Sequence, residues 1–292
     1  MDLSLPVEIV QHYDAKHFHH NYLITSKPAL IKNGLVNDFP ALKKWSFDFF
    51  KREMGHLTVP VFDSRINRKN SALTHPDSQM NFAQFLHQTE MIEANPYRIF
   101  LFNIFRLHPS LSEDFPCPEP ARGMLGKLGY MFFASRNTRV RLHYDIDMSH
   151  VFHTHFAGKK RVILFSQDYN ELLYRLPLNT YSLTNIENEN FNEYPALKFV
   201  KGHSVVMDPG DTLFIPAGYW HYMHYLDSGF SVSYRKLSSS WKNQITGLTN
   251  LTARMWIDKT MNYAFGNRWL AEKEKIARNT AERRMVRLGL QN

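Results

Sequence analysis

Short hydrophobic runs separated by turn residues dominate the middle of the chain. Between these runs stand turn sequences such as Asp208-Pro209-Gly210-Asp211 and Ala217-Gly218. Short apolar runs bounded by Gly, Pro, Asn or Asp are typical of β-strands, and many strands of this kind predict a barrel or a double-sheet jelly roll. The runs that we interpret as strands cover residues 98–102, 130–134, 138–143, 161–165, 204–207, 212–215 and 230–234.

Residues 1–96 have a different pattern, which predicts mixed helix and loop around the core. Within them, residues 57–61 predict a short strand and residues 81–87 a helix. Ser46 precedes an amphipathic stretch and is a candidate N-cap, because its hydroxyl is able to accept a backbone N–H from the first helical turn.

The C-terminal part of the chain predicts helices, since residues 241–288 contain no proline. Its last stretch mixes many Lys and Arg with Glu, which is typical of a solvated helix face. We therefore expect three parts: an N-terminal α/β elaboration over 1–96, a mainly β jelly-roll core over 97–237, and a C-terminal helical region over 238–292.

The composition favours a folded protein with a large core. Of the 292 residues, 43% are hydrophobic, and they include 22 Phe and 14 Tyr, which argues against disorder. No apolar run approaches the roughly 18–20 residues that a membrane span needs, and we see no secretory signal. With Cys117 as the only cysteine, no intrachain disulfide is possible, and we expect a cytoplasmic protein with no membrane partner.

The net charge leaves the kind of partner open. The chain carries a formal charge of +8 and has a pI of about 9.4. A basic surface is able to bind a nucleic acid or another acidic partner. The alternative is a basic protein whose charge makes no such contact, so RNA stays one option among the partners.

Two segments of the chain carry candidate metal ligands. In the first, His143 and Asp145 are two residues apart, and alternate residues of a strand project to the same side. The second has the sequence PGDTLFIPAGYWH and ends at His221. There a turn, a buried strand and a Pro/Gly bend deliver His221 to the mouth of a barrel.

Two histidines and one carboxylate form the facial triad that suits Fe(II), and they leave coordination positions open for a co-substrate and O2. A lone His-x-Asp pair occurs by chance in many proteins. Its combination with the Pro-Gly-Asp…Ile-Pro…Trp-His segment makes the pattern specific. We therefore predict an iron site built from His143, Asp145 and His221.

The sequence around these ligands resembles the JmjC/cupin-like 2-oxoglutarate oxygenases. The resemblance is strongest to their small hydroxylase branch, which includes the asparaginyl hydroxylase of hypoxia signalling and the wybutosine-tRNA hydroxylase. It covers about residues 20–240. The segments that carry it are 28–34, 44–46, His143-Tyr144-Asp145, 158–165, 188–195, 209–216, Trp220-His221-Tyr222 and 230–234.

The resemblance implies a double-stranded β-helix that binds Fe(II) through His143, Asp145 and His221 and uses 2-oxoglutarate and O2. It also implies a lysine that binds the distal carboxylate of 2-oxoglutarate, and Lys160 stands at the matching position. The chemistry agrees, because a dicarboxylate with one end on the metal needs a cation at its other end. The alternative is that Lys160 is a surface charge at the start of a strand.

Two positions depart from the family's pattern. Val140 stands three residues before the first ligand, where a hydroxyl side chain is usual, and Phe100 stands where the family has a tyrosine. A hydroxyl from Ser233, Thr138 or Tyr130 is the candidate replacement. We therefore expect a co-substrate pocket whose contacts differ from those of the relatives.

The stretch 150–155, HVFHTH, contains three histidines. His153 stands where relatives often have an asparagine near the co-substrate, and we interpret it as lining the pocket. A second metal site is the alternative. Tyr144 and Trp220 flank metal ligands, and we interpret both as packing residues because their side chains point away from the metal.

The predicted function is that of an Fe(II)/2-oxoglutarate-dependent dioxygenase that hydroxylates a protein side chain, as the resemblance implies. A tRNA base is the second candidate substrate, favoured by the net charge of +8, and a small molecule is the third. Demethylation is chemically feasible but has no cue in the sequence. A non-catalytic metal-binding cupin remains the alternative from a different class.

The C-terminal helices resemble the dimerising tail of some family members. This predicts a homodimer formed through residues 241–288. The alternative is that the helices form a lid packed on the barrel.

Overall fold

The structure is a computed structural model that describes residues 1–32, 34–64, 75–91, 97–126, 129–187 and 190–290. Residues 188 and 189, at the start of the predicted family segment 188–195, lie outside the described residues. Within the described residues the strands are β1 (Asp2–Leu5), β2 (Glu8–Val10), β3 (Ala29–Ile31), β4 (Thr58–Asp63), β5 (Ser78–Asn81), β6 (Tyr97–Phe102), β7 (Tyr130–Ala134), β8 (Arg139–His143), β9 (His150–His155), β10 (Lys160–Phe165), β11 (Lys201–Met207), β12 (Thr212–Ile215), β13 (Trp220–Tyr225) and β14 (Gly229–Lys236).

The helices lie mainly before and after the strand-rich centre. Those in the described part of the chain are α1 (Ala15–Phe18), α2 (Ala41–Lys44), α3 (Phe47–Met54), α4 (Phe82–Glu90), α5 (Ile104–Leu107), α6 (Leu111–Asp114), α7 (Trp241–Thr249), α8 (Met255–Phe265) and α9 (Asn267–Arg287). Helix α1 continues as a π-helix over His19–Leu23, and a second π-helix, Asn250–Arg254, joins α7 to α8. None of the described helices combines the length and the apolar character needed to cross a bilayer.

The strands β7 to β14 form a double-stranded β-helix, which confirms the predicted jelly roll. Strands β11, β10, β13 and β8 are neighbours in one sheet, and strands β12, β9, β14 and β7 are neighbours in the other. Successive strands alternate between the two sheets except β10 and β11, which are paired neighbours in the same sheet, and all neighbours within these two sets are antiparallel. The arrangement is that of two sheets packed face to face around a common interior.

The N-terminal strands extend both sheets of the jelly roll. Strand β1 lies parallel to β11, while β2 and β3 continue the other sheet beyond β12. Strands β6, β4 and β5 continue that same sheet beyond β7. The prediction of helix and loop was wrong for β1, β2, β3 and β5, whereas the strand at 57–61 is confirmed by β4. The three-part division of the chain stays a prediction.

The predicted helix starts in this region are confirmed. The Ser46 hydroxyl accepts the backbone N–H of Phe49 at 3.0 Å and so caps α3. Asn81 caps α4 in the same way by accepting the N–H of Gln84. The helix predicted over 81–87 continues to Glu90, because its buried face continues through Phe85, Leu86 and Thr89.

Alternate residues of each strand face the interior between the two sheets. On β10 these are Lys160, Val162 and Leu164, of which the last two belong to an apolar cluster that also contains Leu213 and Ile215. Burial of each such aliphatic side chain contributes about 1.5–3 kcal/mol. Because apolar side chains pack around this interior, a buried polar side chain that points into it needs a hydrogen-bond partner there.

The C-terminal helices are attached to the core in two different ways. Ala277, Ala281 and Met285 of α9 are buried in an apolar cluster together with Leu197 and Trp220. In α8, by contrast, only Asp258 is buried. Helix α7 contacts the barrel next to the predicted metal ligands, as described below.

Candidate active site

The structure brings the three predicted metal ligands together. His143 is the last residue of β8 and pairs in register with His221 on β13, and their ring centroids are 4.2 Å apart. The sequence argument had treated Asp145 as a strand residue, but β8 ends at His143 and Asp145 lies in the loop that follows. One ligand atom each from His143, Asp145 and His221 lies within 4.8 Å of the others.

The backbone sets the tautomer of both histidines. Nδ1 of His143 donates to the carbonyl of Arg141 at 2.7 Å, and Nδ1 of His221 donates to the carbonyl of Tyr219 at 3.1 Å. A carbonyl only accepts, so Nδ1 carries the proton in both rings. The Nε2 lone pair of each histidine is then available to a metal ion, which is the arrangement that metal-binding histidines use.

Arg235 holds the carboxylate of Asp145. This arginine, on β14, donates to Oδ1 of Asp145 at 3.0 Å and to Oδ1 of Asp147 at 2.7 Å. Burial alone raises the pKa of Asp145, but the charge of Arg235 and its hydrogen bond to the carboxylate outweigh burial and hold the pKa below its usual range. Asp145 is therefore an ionised ligand, which a divalent cation requires.

Burial keeps the two histidines neutral. It lowers the pKa of His143 to about 3, with a further contribution from the neighbouring His221. The pKa of His221 is also lowered, mainly by burial. Two neutral imidazoles and one carboxylate make a donor set that fits Fe(II).

The triad lies on the wall of a cavity of about 410 Å³. This volume is within the range of small-molecule sites. The lining residues include the three ligands, His153 and Ser233, and also the two positions that depart from the family's pattern, Val140 and Phe100. Tyr181, which also lines the cavity, stacks on His143 with 5.4 Å between ring centroids. The cavity thus combines a metal-binding wall with apolar and aromatic walls.

A chain of buried polar groups leads from this cavity to Lys160. The hydroxyl of Ser233 lies 2.7 Å from Nδ1 of His153, and Nε2 of His153 lies 2.9 Å from Nζ of Lys160. Nζ of Lys160 also donates to Ser231 and lies 4.1 Å from the centre of the Tyr225 ring. Lys160 is completely buried, so it is not a surface charge at a strand end.

The direction of the hydrogen bonds in this chain follows from its far end. Nε2 of His155 donates to the carbonyl of Gly158, so Nδ1 of His155 accepts from Ser231. Ser231 in turn accepts from Lys160, and Lys160 donates to Nε2 of His153. Nδ1 of His153 then donates to Ser233, which leaves the Ser233 hydroxyl hydrogen for an acceptor in the cavity.

The buried Lys160 has no anionic partner within the part of the chain that the structure describes. Among the described residues no carboxylate lies within ion-pair distance of its Nζ atom, and burial lowers the pKa of Lys160 well below its ordinary value. An unpaired buried ammonium is costly. An anionic ligand in the neighbouring cavity would stabilise the charged form.

The other candidate hydroxyls and histidines lie elsewhere. Thr138 is buried outside the set of residues that line the cavity, and its hydroxyl finds no hydrogen-bond partner among the described residues. Tyr130 is also outside that set. His150 accepts the backbone N–H of Ala217. Tyr144 and Trp220 pack edge to face at 4.9 Å, and Tyr144 also lines the cavity.

Sequence reasoning missed Arg235, although the chain contains a signal for it. Along β14 the polar residues Ser231, Ser233 and Arg235 alternate with apolar Val232 and Tyr234. With Ser233 assigned to the interior, the period of two places Ser231 and Arg235 there as well. All three side chains make the interior contacts described above.

Comparison with protein families identifies the domain. The family described as cupin-like domain matches residues 15–238. The match begins within the N-terminal part and ends just after β14, so it includes every residue of the metal-binding triad and of the polar chain to Lys160.

Comparison with curated proteins finds relatives with different names. The chain is 27% identical to lysine-specific demethylase 8 of Xenopus tropicalis over 229 residues, which are 75% of this chain and 50% of that protein. It is 24% identical to lysine-specific demethylase JMJ30 of Arabidopsis thaliana over 226 residues, 74% of this chain and 51% of that protein. It is 26% identical to tRNA wybutosine-synthesizing protein 5 of Gallus gallus over 196 residues, 67% of this chain and 58% of that protein. The chain thus spans about half the length of the curated relatives it matches.

Proposed function

Because the chain belongs to the cupin-like domain family, we propose that it is an Fe(II)- and 2-oxoglutarate-dependent oxygenase of the JmjC type that hydroxylates a protein side chain. The observation that carries this proposal is the convergence of His143, Asp145 and His221 on one cavity wall. The two histidines keep Nε2 available, and the carboxylate is ionised.

In this proposal the chain's own residues bind, orient and shield the reactants. His143, Asp145 and His221 hold Fe(II), and bound Fe(II) supplies the activation of O2 that accompanies decarboxylation of 2-oxoglutarate. Arg235 keeps Asp145 ionised and fixes one of its oxygens. The apolar walls around Phe100 and Val140 exclude water from the reacting groups.

The polar chain that ends at Lys160 is the proposed site for the distal carboxylate of 2-oxoglutarate. Ser233 offers a hydroxyl hydrogen to the cavity, and His153 lines the cavity between Ser233 and Lys160. A carboxylate there would supply the anion that the buried Lys160 lacks. This arrangement compensates for the missing hydroxyls at Val140 and Phe100.

The experiment that tests this function is a measurement of succinate release. We expect the purified protein to convert 2-oxoglutarate to succinate only when Fe(II) is present. His143→Ala should abolish the turnover, whereas His203→Ala, a histidine on β11 that contacts the carbonyl of Pro6, should leave it unchanged. Turnover that is independent of Fe(II), or a fully active His143→Ala protein, would contradict the proposal.

A tRNA base is the second candidate substrate, and two observations favour it. One relative is named as a tRNA wybutosine-synthesizing protein, and the chain carries a net charge of +8. Cell protein and RNA would each be incubated with the enzyme, Fe(II) and 2-oxoglutarate, then searched by mass spectrometry for products heavier by one oxygen atom. RNA binding that weakens steeply as salt rises would favour the tRNA substrate.

Demethylation is distinguishable in the same reaction. Relatives named as lysine-specific demethylases are among those that match, and hydroxylation of an N-methyl group releases formaldehyde. Formaldehyde in place of a product heavier by one oxygen would therefore identify demethylation. A non-catalytic metal-binding cupin would bind Fe(II) but release no succinate with any substrate.

We also propose that the protein is a homodimer formed through α7 and α8. Eight large apolar side chains of this region are exposed: Trp241, Ile245, Leu248, Leu251, Trp256, Ile257, Tyr263 and Phe265. Together they expose on the order of 1,000 Å². This summed area is comparable with the roughly 800 Å² that each partner buries in a standard interface.

A further inference from the structure

The side of helix α7 that faces the barrel carries no large apolar residue. Gly247 and Asn250 are the fully buried residues of the stretch 241–250, and they lie three residues apart on one side of the helix. Its large apolar residues, Trp241, Ile245 and Leu248, are all exposed. The inner side of α7 therefore contacts the protein through a glycine backbone and an amide, and not through an apolar core.

This inner side contacts the loop that carries the carboxylate ligand. A Cβ atom at Gly247 would lie 2.2 Å from the carbonyl oxygen of Asp147, so α7 approaches the loop as closely as a glycine permits. The side-chain amide of Asn250 donates to the carbonyl of Ile146 at 3.1 Å, and its oxygen accepts from Arg254 at 2.8 Å. Two successive peptide units of the loop are thus contacted by α7 and by the first residue of the π-helix that continues it.

The same loop is held from the cavity side by Arg235. The backbone N–H of Met148 donates to the carbonyl of Asp145, which closes a turn, and Arg235 contacts the carboxylates of both Asp145 and Asp147. A shift of the backbone at Asp147 would therefore displace Asp145 through two connections. One connection is the chain itself, and the other is the shared guanidinium group.

We infer that Gly247 and Asn250 are positioning residues for the metal site. They do not touch the triad. They fix the backbone of residues 146 and 147 and thereby set where the Asp145 carboxylate lies relative to His143 and His221. The inference rests on the proposed metal-binding function of the triad, and it adds the C-terminal helical region to the parts of the chain on which that function depends.

Three variants separate positioning from a general structural role. Gly247→Ala places a methyl group against the Asp147 carbonyl, although alanine is the better helix former. Asn250→Asp keeps the oxygen that Arg254 contacts but replaces the donor to Ile146 by a second acceptor. Lys242→Ala, at an exposed position on the same helix, is the matched control. His143→Ala reports on the metal site itself.

The measurement is a titration of the metal-free 292-residue proteins with Co(II), in which binding is monitored by the d–d absorption of the bound ion. We expect one Co(II) per chain for the unaltered protein and for Lys242→Ala. We expect binding about tenfold weaker in Gly247→Ala and Asn250→Asp, as for other residues that orient a metal ligand, together with a changed d–d band. Far-UV circular dichroism identifies any variant that fails to fold. If Gly247→Ala fails to fold, Asn250→Asp still tests the inference.

The outcomes distinguish the two proposals. Folded Gly247→Ala and Asn250→Asp proteins that bind Co(II) as the unaltered protein does, with the same spectrum, would overturn the positioning role alone. An unaltered protein that binds no Co(II), or binds it as well after His143→Ala, would overturn the metal site and the positioning role with it.

Discussion

Ser233 and Thr138 carry similar hydroxyl groups but lie in different surroundings. The Ser233 hydroxyl lines the cavity and accepts from His153, whereas Thr138 is buried outside the lining residues. A hydrogen bond to a charged group contributes about 1.5–3 kcal/mol. We therefore predict that Ser233→Ala raises the KM for 2-oxoglutarate about tenfold or more.

Thr138→Val is the control for that measurement. Valine has the shape of threonine and removes a hydroxyl that has no partner among the described residues, so we expect the KM to stay unchanged. Equal KM values for Ser233→Ala and the unaltered protein in the succinate assay would exclude Ser233 from the co-substrate site. A raised KM in Thr138→Val would place the anchor there instead.

Buried neutral histidines should make the protein sensitive to acid. Burial lowers the pKa of His150 to about 4 and that of His153 and His155 well below the ordinary value. Below about pH 6.5 the unfolded chain binds protons at these rings and the folded protein does not, so stability is lost as the pH falls toward the folded pKa values. Three such rings give a slope of up to about 4 kcal/mol per pH unit.

Urea unfolding of the metal-free protein between pH 7.5 and pH 5 checks this expectation. His150→Asn removes one of the protons taken up on unfolding, so it should reduce the pH slope of the free energy of unfolding by up to about 1.4 kcal/mol per pH unit. His75→Asn, at an exposed position, should leave that slope unchanged. A free energy of unfolding that stays constant over this range would show that the buried rings do not resist protonation.

Single residues of the site differ in how well the sequence predicted them. His143 and His221 were predicted because motif and strand context agree, and the structure brings them into register. The burial of Lys160 and its contact with His153 depend on the pairing of β9, β10 and β14, which local pattern does not contain. Arg235 was missed because the predicted strand ended at residue 234, whereas β14 continues to Lys236.

At the level of elements, the sequence predicted six of the eight jelly-roll strands and the position of the C-terminal helices, whereas β9 and β13 were not among the predicted runs. The apolar runs and turn residues of the predicted strands are local signals. The short strands β1 and β2 were missed because each is held in its sheet by a partner distant in sequence or by a parallel neighbour. Strands of three or four residues have too few positions for a period of two to be visible.

The exposed apolar face of α7 and α8 leads to a prediction about assembly. Trp241→Arg together with Leu248→Arg should convert the proposed dimer to a monomer, because a charged side chain at the centre of an apolar interface is unpaired. Sedimentation equilibrium or light scattering measures the mass. Ile9→Arg, a substitution of an exposed apolar residue on β2, should leave the dimer intact, and a monomeric unaltered protein would contradict the proposal.

At the level of the whole molecule, ligand binding should raise thermal stability. Metal and co-substrate join residues of β8, β13, β9 and β14, so they bind the folded state and not the unfolded chain. A ligand at a hundred times its Kd contributes about 2.7 kcal/mol, which corresponds to a rise in Tm of roughly 4–5 °C for a chain of 292 residues.

Thermal scans with Co(II), and with Co(II) plus 2-oxoglutarate, measure this effect. A chelator should reverse the shift, and His143→Ala should show none. If 2-oxoglutarate raises the Tm of the Co(II) form but not after Lys160→Met, the buried lysine contributes to the co-substrate site. An equal shift in both proteins would exclude Lys160 from that role.

The pairing of His143 with His221 also has a consequence for the order in which the molecule is made. Strand β13 lies between β10 and β8, so the strand that carries the last ligand is inserted between two strands synthesised long before it. A nascent chain that ends before His221 holds two ligands of three and an open sheet. In the proposed function, the complete donor set for Fe(II) therefore exists only after the strand that carries His221 has been synthesised and inserted between β10 and β8.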